Sequence, residues 1–171
     1  MSILPQNNPY EQLAEVPEIA IDAGFENGET LPLSYVNAEQ GGDPTSPALS
    51  WEPVEGAESY TVSLYDPDAP TMSGFWHWIV TDIPANVTSL EAGELPEGAT
   101  AQLNEAGERD FIPATPPAGH GYHRYFLTVQ ALNVPKLDLP ADLTPARLHF
   151  SLRENVIARG HVFGIWQNPE Q

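Results

Sequence analysis

Alternation of apolar and polar residues marks three strands in the middle of the chain. The three segments are Tyr60–Asp66, Phe75–Ile83 and Gly121–Leu132, and each repeats its apolar positions with a period of two. Such alternation is typical of strands that bury one face. In the first strand the acidic Asp66 takes the last place in the apolar row. The pattern therefore predicts a mainly antiparallel β protein with these three strands at its centre.

The hydrophobic period changes near the C-terminus. Apolar residues recur at every fourth position over Leu148–Val156, a threonine precedes them, and Gly160 follows. Threonine is a good helix N-cap and glycine commonly ends a helix. The sequence therefore predicts a helix over Thr144–Ala158, ended by Gly160, and a last strand over His161–Trp166.

A single domain accounts for most of the 171 residues. We interpret residues 1–16 as an N-terminal extension over the surface and residues 17–171 as the domain. Weaker strand candidates lie at Glu18–Ile21 and Leu31–Val36, and Trp51 is expected in the core. Residues 84–107 are acidic and lack a clear period, so a loop with one short strand is predicted there.

Charge and composition exclude several function classes. The chain has 24 acidic and 6 basic residues and a formal net charge of −18, which disfavours nucleic acid and anionic membrane surfaces as partners. It has no cysteine, so disulfides and thiolate chemistry are excluded. Met1–Pro9 does not resemble a signal peptide, and no apolar run is long enough to span a bilayer. We therefore expect a cytoplasmic protein.

Polar residues end the apolar rows of all three central strands. Asp66 ends the first, His77 lies near the start of the second, and His123 and Tyr125 begin the third. The prolines that follow Asp66 stop strand pairing because proline has no N–H to donate. Three strand ends thus carry polar groups at the edge of an apolar interior, which predicts a pocket. Phe75 lies on the His77 side of its strand and is expected to line it.

The chemistry of these groups favours an oxyanion as the ligand. His77 and His123 can donate N–H groups, Tyr125 can donate its hydroxyl, and loop N–H groups before Pro116 can add more. Asp66 opposes an anion unless it orients and charges a histidine.

In the alternative interpretation, Asp66 and Asp68 only cap the turn through backbone N–H groups. Trp76 and Trp78 are expected to share a face opposite His77. The other histidines are assigned to the surface or to packing, namely His120, His149 and His161.

Four sequence blocks resemble the phosphatidylethanolamine-binding protein family, most closely its bacterial Raf kinase inhibitor-like (YbhB/YbcL) branch. They are Asp66-Pro67-Asp68-Ala69-Pro70, Gly74–Trp78, Pro116–Tyr125 and the Ser-Pro-x-Leu-x-Trp pattern of Ser46–Trp51. The resemblance spans roughly residues 17–167. It implies two packed, largely antiparallel β-sheets with a C-terminal helix, and a small pocket for phosphate or a phospholipid head group.

The resemblance also implies which residues form the pocket. By motif position they are Asp66, Asp68, Pro70, His77, His123 and Tyr125. The family usually has Gly-Pro where this chain has Pro113-Ala114, which affects the backbone contact expected from that loop. The kinase-regulating role of eukaryotic members is not carried over, because no kinase-contacting motif is present. A cis Ala69–Pro70 bond is predicted, since cis prolines are typical of tight turns.

Other function classes stay open as alternatives. The first is a protein that inhibits a kinase or a protease through its surface and leaves the pocket unused; a homodimer also stays open. A metal site of two histidines and a carboxylate is less favoured, because the histidines lack metal-motif spacing. A hydrolase using Asp66, His123 and Ser73 is equally disfavoured, because no nucleophile-elbow motif is present. We therefore predict a protein without a cofactor and without a complete catalytic constellation.

Overall fold

The computed structural model describes residues 7–170 and has two antiparallel β-sheets and one α-helix. The strands are β1 (Ile21–Asp22), β2 (Leu49–Trp51), β3 (Ser59–Asp66), β4 (Phe75–Pro84), β5 (Ser89–Leu90), β6 (Thr100–Ala101), β7 (His123–Leu132) and β8 (Val156–Trp166). The helix is α1 (Pro145–Leu152), and short 3-10 turns cover Leu33–Tyr35, Ala38–Gln40 and Arg153–Asn155. No helix within residues 7–170 is long and apolar enough to cross a membrane.

The larger sheet has the strand order β6-β4-β3-β7-β8, and the smaller sheet has the order β1-β2-β5. One face of the larger sheet, here called the inner face, packs on the smaller sheet around Val62, Leu127 and Trp51. The opposite, outer face is covered by α1 and by part of the N-terminal segment. The predictions of a mainly β fold with two antiparallel sheets and a C-terminal helix are confirmed.

The three predicted central strands pair with one another as expected. β3 pairs with β4 on one side and with β7 on the other, in antiparallel register. The apolar row of β7 faces the inner core, but all ten residues of that strand are buried. β7 is thus covered on both faces, which fits a central strand.

A β-bulge in β4 changes the side on which its aromatic residues lie. Trp76 pairs with Tyr65 and Trp78 pairs with Leu64, so the intervening His77 is an extra residue on β4. An extra residue reverses the alternation beyond it. Trp78 therefore packs in the inner core while Trp76 lies on the outer face. The prediction that the two tryptophans share a face opposite His77 is wrong for this reason.

The C-terminal helix is shorter than predicted. Thr144 caps it as expected, with its hydroxyl accepting from the Arg147 N–H at 3.3 Å. However, α1 ends at Leu152, a 3-10 turn follows, and β8 already begins at Val156. Gly160 lies inside β8 and does not end a helix. A Cβ atom there would be 1.9 Å from the Ile19 carbonyl oxygen, so close strand packing requires this glycine.

The remaining segments agree only in part with the expectations. The first weak candidate yields only the two-residue β1, and Leu33–Tyr35 is a 3-10 turn in place of the second. Residues 84–107 contain two short strands where one was predicted. In the N-terminal segment, the Tyr10 hydroxyl hydrogen-bonds Thr128 Oγ1 at 2.6 Å on the outer face. Residues 1–6 and 171 lie outside the described residues, and the domain boundary after residue 16 stays a prediction.

Candidate functional site

A cavity of about 200 Å³ opens where β3, β4 and β7 end on the inner face. We call it the histidine pocket. Six of the seven predicted site residues line it: Asp66, Pro70, Phe75, His77, His123 and Tyr125. Its other walls come from Ala69 and from the loop residues Ile112, Pro113, Thr115, Pro116 and Pro117. The structure thus brings these residues together, and their contact with a ligand stays a prediction.

Asp66 and His123 form a buried pair at the base of the pocket. His123 Nδ1 lies 2.7 Å from Asp66 Oδ2, and both side chains are almost fully buried. A carboxylate accepts hydrogen bonds, so Nδ1 carries the proton. The other carboxylate oxygen of Asp66 accepts from the Asp68 N–H at 2.7 Å. Asp66 therefore does both things that the sequence left open: it caps the turn and it orients a histidine.

His77 contributes a neutral imidazole to the pocket. Its Nδ1 is 2.7 Å from the Ile112 carbonyl oxygen, which can only accept, so Nδ1 is the protonated nitrogen. Burial lowers the pKa of His77, while the bond to Ile112 and the charge of Asp66 act in the opposite direction. In the neutral ring Nε2 is an acceptor. His77 can donate from Nε2 to an anion only after taking up a proton, which the residue inventory alone did not reveal.

His120 is a member of the site that the sequence analysis missed. Its Nδ1 lies 2.7 Å from His123 Nε2. Because Nδ1 of His123 carries a proton, Nε2 of the neutral His123 ring accepts, and His120 donates from Nδ1. His120 is exposed, and the glycines on both sides of it, Gly119 and Gly121, have positive φ angles of 75° and 82°. These glycines allow the chain to fold back onto His123. The available signal was the Gly-His-Gly sequence three residues before a pocket histidine.

Tyr125 presents a hydroxyl group that bonds to none of the described residues. The residue is buried yet lines the pocket, and its ring packs edge-on against His77 at 5.4 Å. Burial raises the pKa of Tyr125, and the charges of Asp66 and Asp68 raise it further. The phenol is therefore a neutral donor that is free for a ligand.

The loop over residues 112–117 offers fewer N–H groups than expected. The Ile112 N–H donates to the His77 carbonyl oxygen at 3.0 Å, and the Ala114 N–H donates to that of Tyr35 at 2.7 Å. The three prolines of the loop have no N–H. Among these residues, only Thr115 has an N–H without a described acceptor.

Asp68 does not line the pocket, in contrast to the other six predicted residues. Its carboxylate accepts from the backbone N–H, Nε and Nη2 of Arg124 at 2.9, 2.8 and 2.8 Å. Both side chains are buried. A bidentate pair of this kind is among the strongest polar contacts in proteins. The carboxylate of Asp68 thus neither lines the pocket nor caps its own turn, and instead holds Arg124 of β7.

One further expectation is wrong, and the serine of the disfavoured hydrolase alternative lies away from the histidine pocket. All peptide bonds within residues 7–170 are trans, so the predicted cis bond before Pro70 is wrong. Ser73, the serine considered for a hydrolase triad, lines a different cavity on the outer face. Within the described residues no group of three or more His, Asp or Glu side chains is arranged to hold a metal ion.

The fold and the pocket define a mainly β protein with a small cavity built on a buried aspartate–histidine pair. The family model of phosphatidylethanolamine-binding proteins matches residues 22–167, and the chain belongs to this family. Ligand binding is a general property of the family.

Bacterial members are similar to the chain over most of its length. YbcL of Escherichia coli is 40% identical over 153 residues, which cover 84% of each protein. YbhB of the same organism is 34% identical, over 85% of this chain and 98% of YbhB. The crystal structure of E. coli YbcL superposes with a TM-score of 0.80 at 37% identity, covering 88% of this chain and 98% of that one.

Proposed function

We propose that the histidine pocket binds a small oxyanion, either free phosphate or the phosphate of a head group, and that binding takes up a proton. The free Tyr125 hydroxyl beside the Asp66–His123 pair is the observation that supports this most directly. The hydroxyl has no acceptor among the described residues and its residue lines the cavity, so an oxyanion bound there can accept its hydrogen bond. The Thr115 N–H is a second donor for the same ligand.

Charge balance is the reason for the proton uptake. With both pocket histidines neutral, the Asp66 carboxylate leaves the pocket negative and repels an anion. Protonation of His123 or His77 cancels this charge and turns the ring into a donor on both nitrogens. An anion therefore favours the protonated pocket, and binding and protonation are linked.

The ligand also has to replace His120. In the unliganded arrangement His123 Nε2 is occupied by His120 at 2.7 Å. Because His120 is exposed and lies between two glycines, its side chain can leave at small cost. We infer that the anion takes the place of the His120 ring on His123.

Calorimetric titration with sulfate tests the proposal at pH about 5.5 and about 7.5. Sulfate stays dianionic over this range, whereas the second pKa of phosphate, about 6, falls inside it. We expect tighter binding at the lower pH, with a heat that varies with the ionisation enthalpy of the buffer because protons are taken up. Binding that is independent of both pH and buffer contradicts the proposal.

Variants separate the roles of the side chains. His123→Ala should weaken sulfate binding by about 1.5–3 kcal/mol, the range of a charge-assisted hydrogen bond. His161→Ala, at an exposed histidine outside the pocket, is the matched control and should have no such effect. Asp66→Asn should weaken binding at neutral pH if the carboxylate charges His123, and strengthen it if the carboxylate only repels the ligand. A silent His123→Ala would instead favour the surface-interaction alternative.

The source of the phosphate is tested with glycerophosphoethanolamine, a soluble head group. The neutral His77 Nε2 can accept from its ammonium, which inorganic phosphate lacks. A head-group site should bind it more tightly than phosphate, and His77→Phe should abolish this advantage. Equal affinity for both compounds would favour free phosphate as the ligand.

A further inference from the structure

A second cavity, of about 330 Å³, lies on the opposite face of the larger sheet. We call it the outer cavity. Its floor is the outer face of the sheet, including Trp76 and Gln130, and its sides come from Leu152 of α1 and from Leu13 of the N-terminal segment. The volume falls within the range of roughly 300–1,000 Å³ typical of small-molecule sites. None of its lining residues lines the histidine pocket.

The charge of the outer cavity is opposite to that of the protein. Two of the six basic residues of the chain, Arg153 and Arg159, line it, and no carboxylate of the described residues does, although the chain has 24 acidic residues. Glu15 and Glu18 instead line a neighbouring groove beside Arg159. A chain of net charge −18 therefore keeps its acidic side chains out of this one cavity.

Arg159 is a partly buried cation that has no carboxylate partner within residues 7–170. Its Nε donates to Gln130 Oε1 at 3.0 Å and its Nη1 to the Ala14 carbonyl oxygen at 3.3 Å. No ion pair with a described Asp or Glu is formed, and burial lowers the pKa of the guanidinium group. A guanidinium has five N–H donors, so donors remain for an anion. An anion at Arg159 would compensate a charge that is only partly solvated.

Arg153 is already engaged. Its guanidinium lies over the Phe150 ring at 3.9 Å and contacts Glu154 at 3.5 Å. The cavity therefore offers one uncompensated cation, which suits a ligand with a single acidic group.

The rest of the outer cavity is largely apolar and firmly packed. The Trp76 ring stacks on His149 at 4.2 Å and packs at a tilt against Tyr65 at 4.3 Å, which fixes its position in the floor of the cavity. Leu13 is 41% exposed and Met72 is fully exposed at the rim. Exposed apolar side chains beside a cavity favour a ligand with an apolar body.

We propose that the outer cavity binds an amphipathic monocarboxylate, with its carboxylate on Arg159 and its apolar body along Trp76, Leu152 and Leu13. Inorganic anions would leave the apolar walls unfilled, and a polyanion would be repelled by the surrounding acidic surface. The site is independent of the histidine pocket and lies across the sheet from it.

Calorimetric titration of the wild-type chain with octanoate, 1-octanol and sulfate tests the proposal. The dissociation constant of octanoate should be lower than that of octanol by a factor of about ten or more, since only octanoate forms the charge-assisted bond to Arg159. Amide chemical shifts in ¹⁵N-labelled protein should change at Thr128 and Gln130 on octanoate addition. Equal binding of octanol and octanoate, or shift changes confined to the histidine pocket, would overturn the proposal.

Two variants with matched controls test the contacts. Arg159→Gln should weaken octanoate binding about tenfold or more, and Arg147→Gln, at an exposed arginine outside the cavity, should not. Leu13→Glu puts a carboxylate at the rim and should weaken octanoate more than octanol, because both ligands lose the Leu13 contact and only octanoate is repelled by the new charge. Leu33→Glu, at another exposed leucine, is its control. The exposed position of Leu13 keeps the test valid if Arg159→Gln does not fold.

A final variant tests the independence of the two sites. His123→Ala should leave octanoate binding unchanged, whatever its effect on sulfate. A joint loss of octanoate and sulfate binding in His123→Ala would show that octanoate binds in the histidine pocket, and would overturn the proposal.

Discussion

The two cavities lie on opposite faces of one sheet, and they differ in whether the charged side chain that lines them has a partner of opposite charge. In the histidine pocket the charge is a carboxylate, and His123 holds it at 2.7 Å. In the outer cavity the charge is the guanidinium of Arg159, which has no carboxylate partner among the described residues. A ligand of the histidine pocket therefore has to bind beside the existing Asp66–His123 pair and alter it. A ligand of the outer cavity can supply the negative charge that Arg159 lacks.

The alternation of β7 produces this division. His123 points to the inner face and holds Asp66, while its neighbour Arg124 points to the outer face and holds Asp68. Two acids that are two positions apart in the sequence are thus bound by two consecutive residues on opposite sides of the sheet. Asp66 and Asp68 are the same residue type in one short turn, yet Asp66 lines the histidine pocket and Asp68 forms a structural ion pair.

The largest expected effect is on stability, from removal of the Asp68 carboxylate. Asp68→Ala should lower the free energy of unfolding by about 3–5 kcal/mol, because the Arg124 guanidinium is then buried without its partner. Urea unfolding measures this. Asp138→Ala, at an exposed acid, is the control and should stay within about 0.5 kcal/mol of wild type.

The same variant sharpens the distinction between Asp66 and Asp68. Asp68 does not line the histidine pocket, so the fraction of Asp68→Ala that stays folded should bind sulfate nearly as well as wild type. A loss of sulfate affinity as large as that in His123→Ala would show that Asp68 belongs to the pocket, and the distinction drawn here between Asp66 and Asp68 would be wrong.

An intermediate effect is expected in acid, from a histidine on each face. Burial lowers the pKa of His149 from 6.5 to about 4 on the outer face, and it lowers that of His77 on the inner face. His149 stays neutral in the folded chain and takes up a proton in the unfolded chain as the pH falls from about 6.5 towards 4, and His77 acts in the same direction. The free energy of unfolding should therefore fall as the pH falls through this window, by up to about 1.4 kcal/mol per pH unit for His149.

The variant His149→Gln measures the share of one ring. Glutamine does not titrate at position 149, so the free energy of unfolding of this variant should depend less on pH than that of wild type between pH about 6 and 4.5. The difference in slope should approach 1.4 kcal/mol per pH unit. An unchanged slope would mean that His149 is protonated in the folded protein, and that burial on the outer face is weaker than the structure indicates.

The smallest expected effect concerns the segment that borders the outer cavity. Tyr10→Phe removes the 2.6 Å hydrogen bond to Thr128 and keeps the ring stacked on His161, so it should cost about 1 kcal/mol. Thr128→Val removes the same bond from the other side. In urea unfolding the double variant should lose less than the sum of the two single variants. Strict additivity would mean that the bond does not hold this segment in solution.

Local sequence pattern predicted the central strands and most of the histidine pocket. Period-two alternation in β3 and β7 fixes which side chains share a face, so Asp66, His123 and Tyr125 could be expected to converge. The sequence also predicted the start of the helix correctly, because a threonine N-cap bonds to a backbone N–H within the first turn. These features depend on neighbours close in the sequence.

The sequence pattern could not show which contact a polar group makes when its partner is distant in the chain. The bulge at His77 depends on pairing with β3, and Gly160 is required by the Ile19 carbonyl oxygen, far earlier in the chain. The end of α1 was misjudged because the apolar period continues into β8. In each case tertiary pairing outweighed the local pattern.

The residue types and their order along the chain thus determined the fold class, the family resemblance and the presence of an acid–imidazole pocket. Only the tertiary structure decided that Asp68 is held by Arg124 and that His120 occupies His123 Nε2. It further decided that His77 donates from Nδ1 to the Ile112 carbonyl oxygen, which leaves Nε2 as the acceptor of the neutral ring. It also decided that Arg159 has no carboxylate partner among the described residues. The physical reason is that hydrogen bonds and ion pairs depend on distances of a few ångströms between residues far apart in the chain, such as Arg159 and Ala14 at a separation of 145 positions.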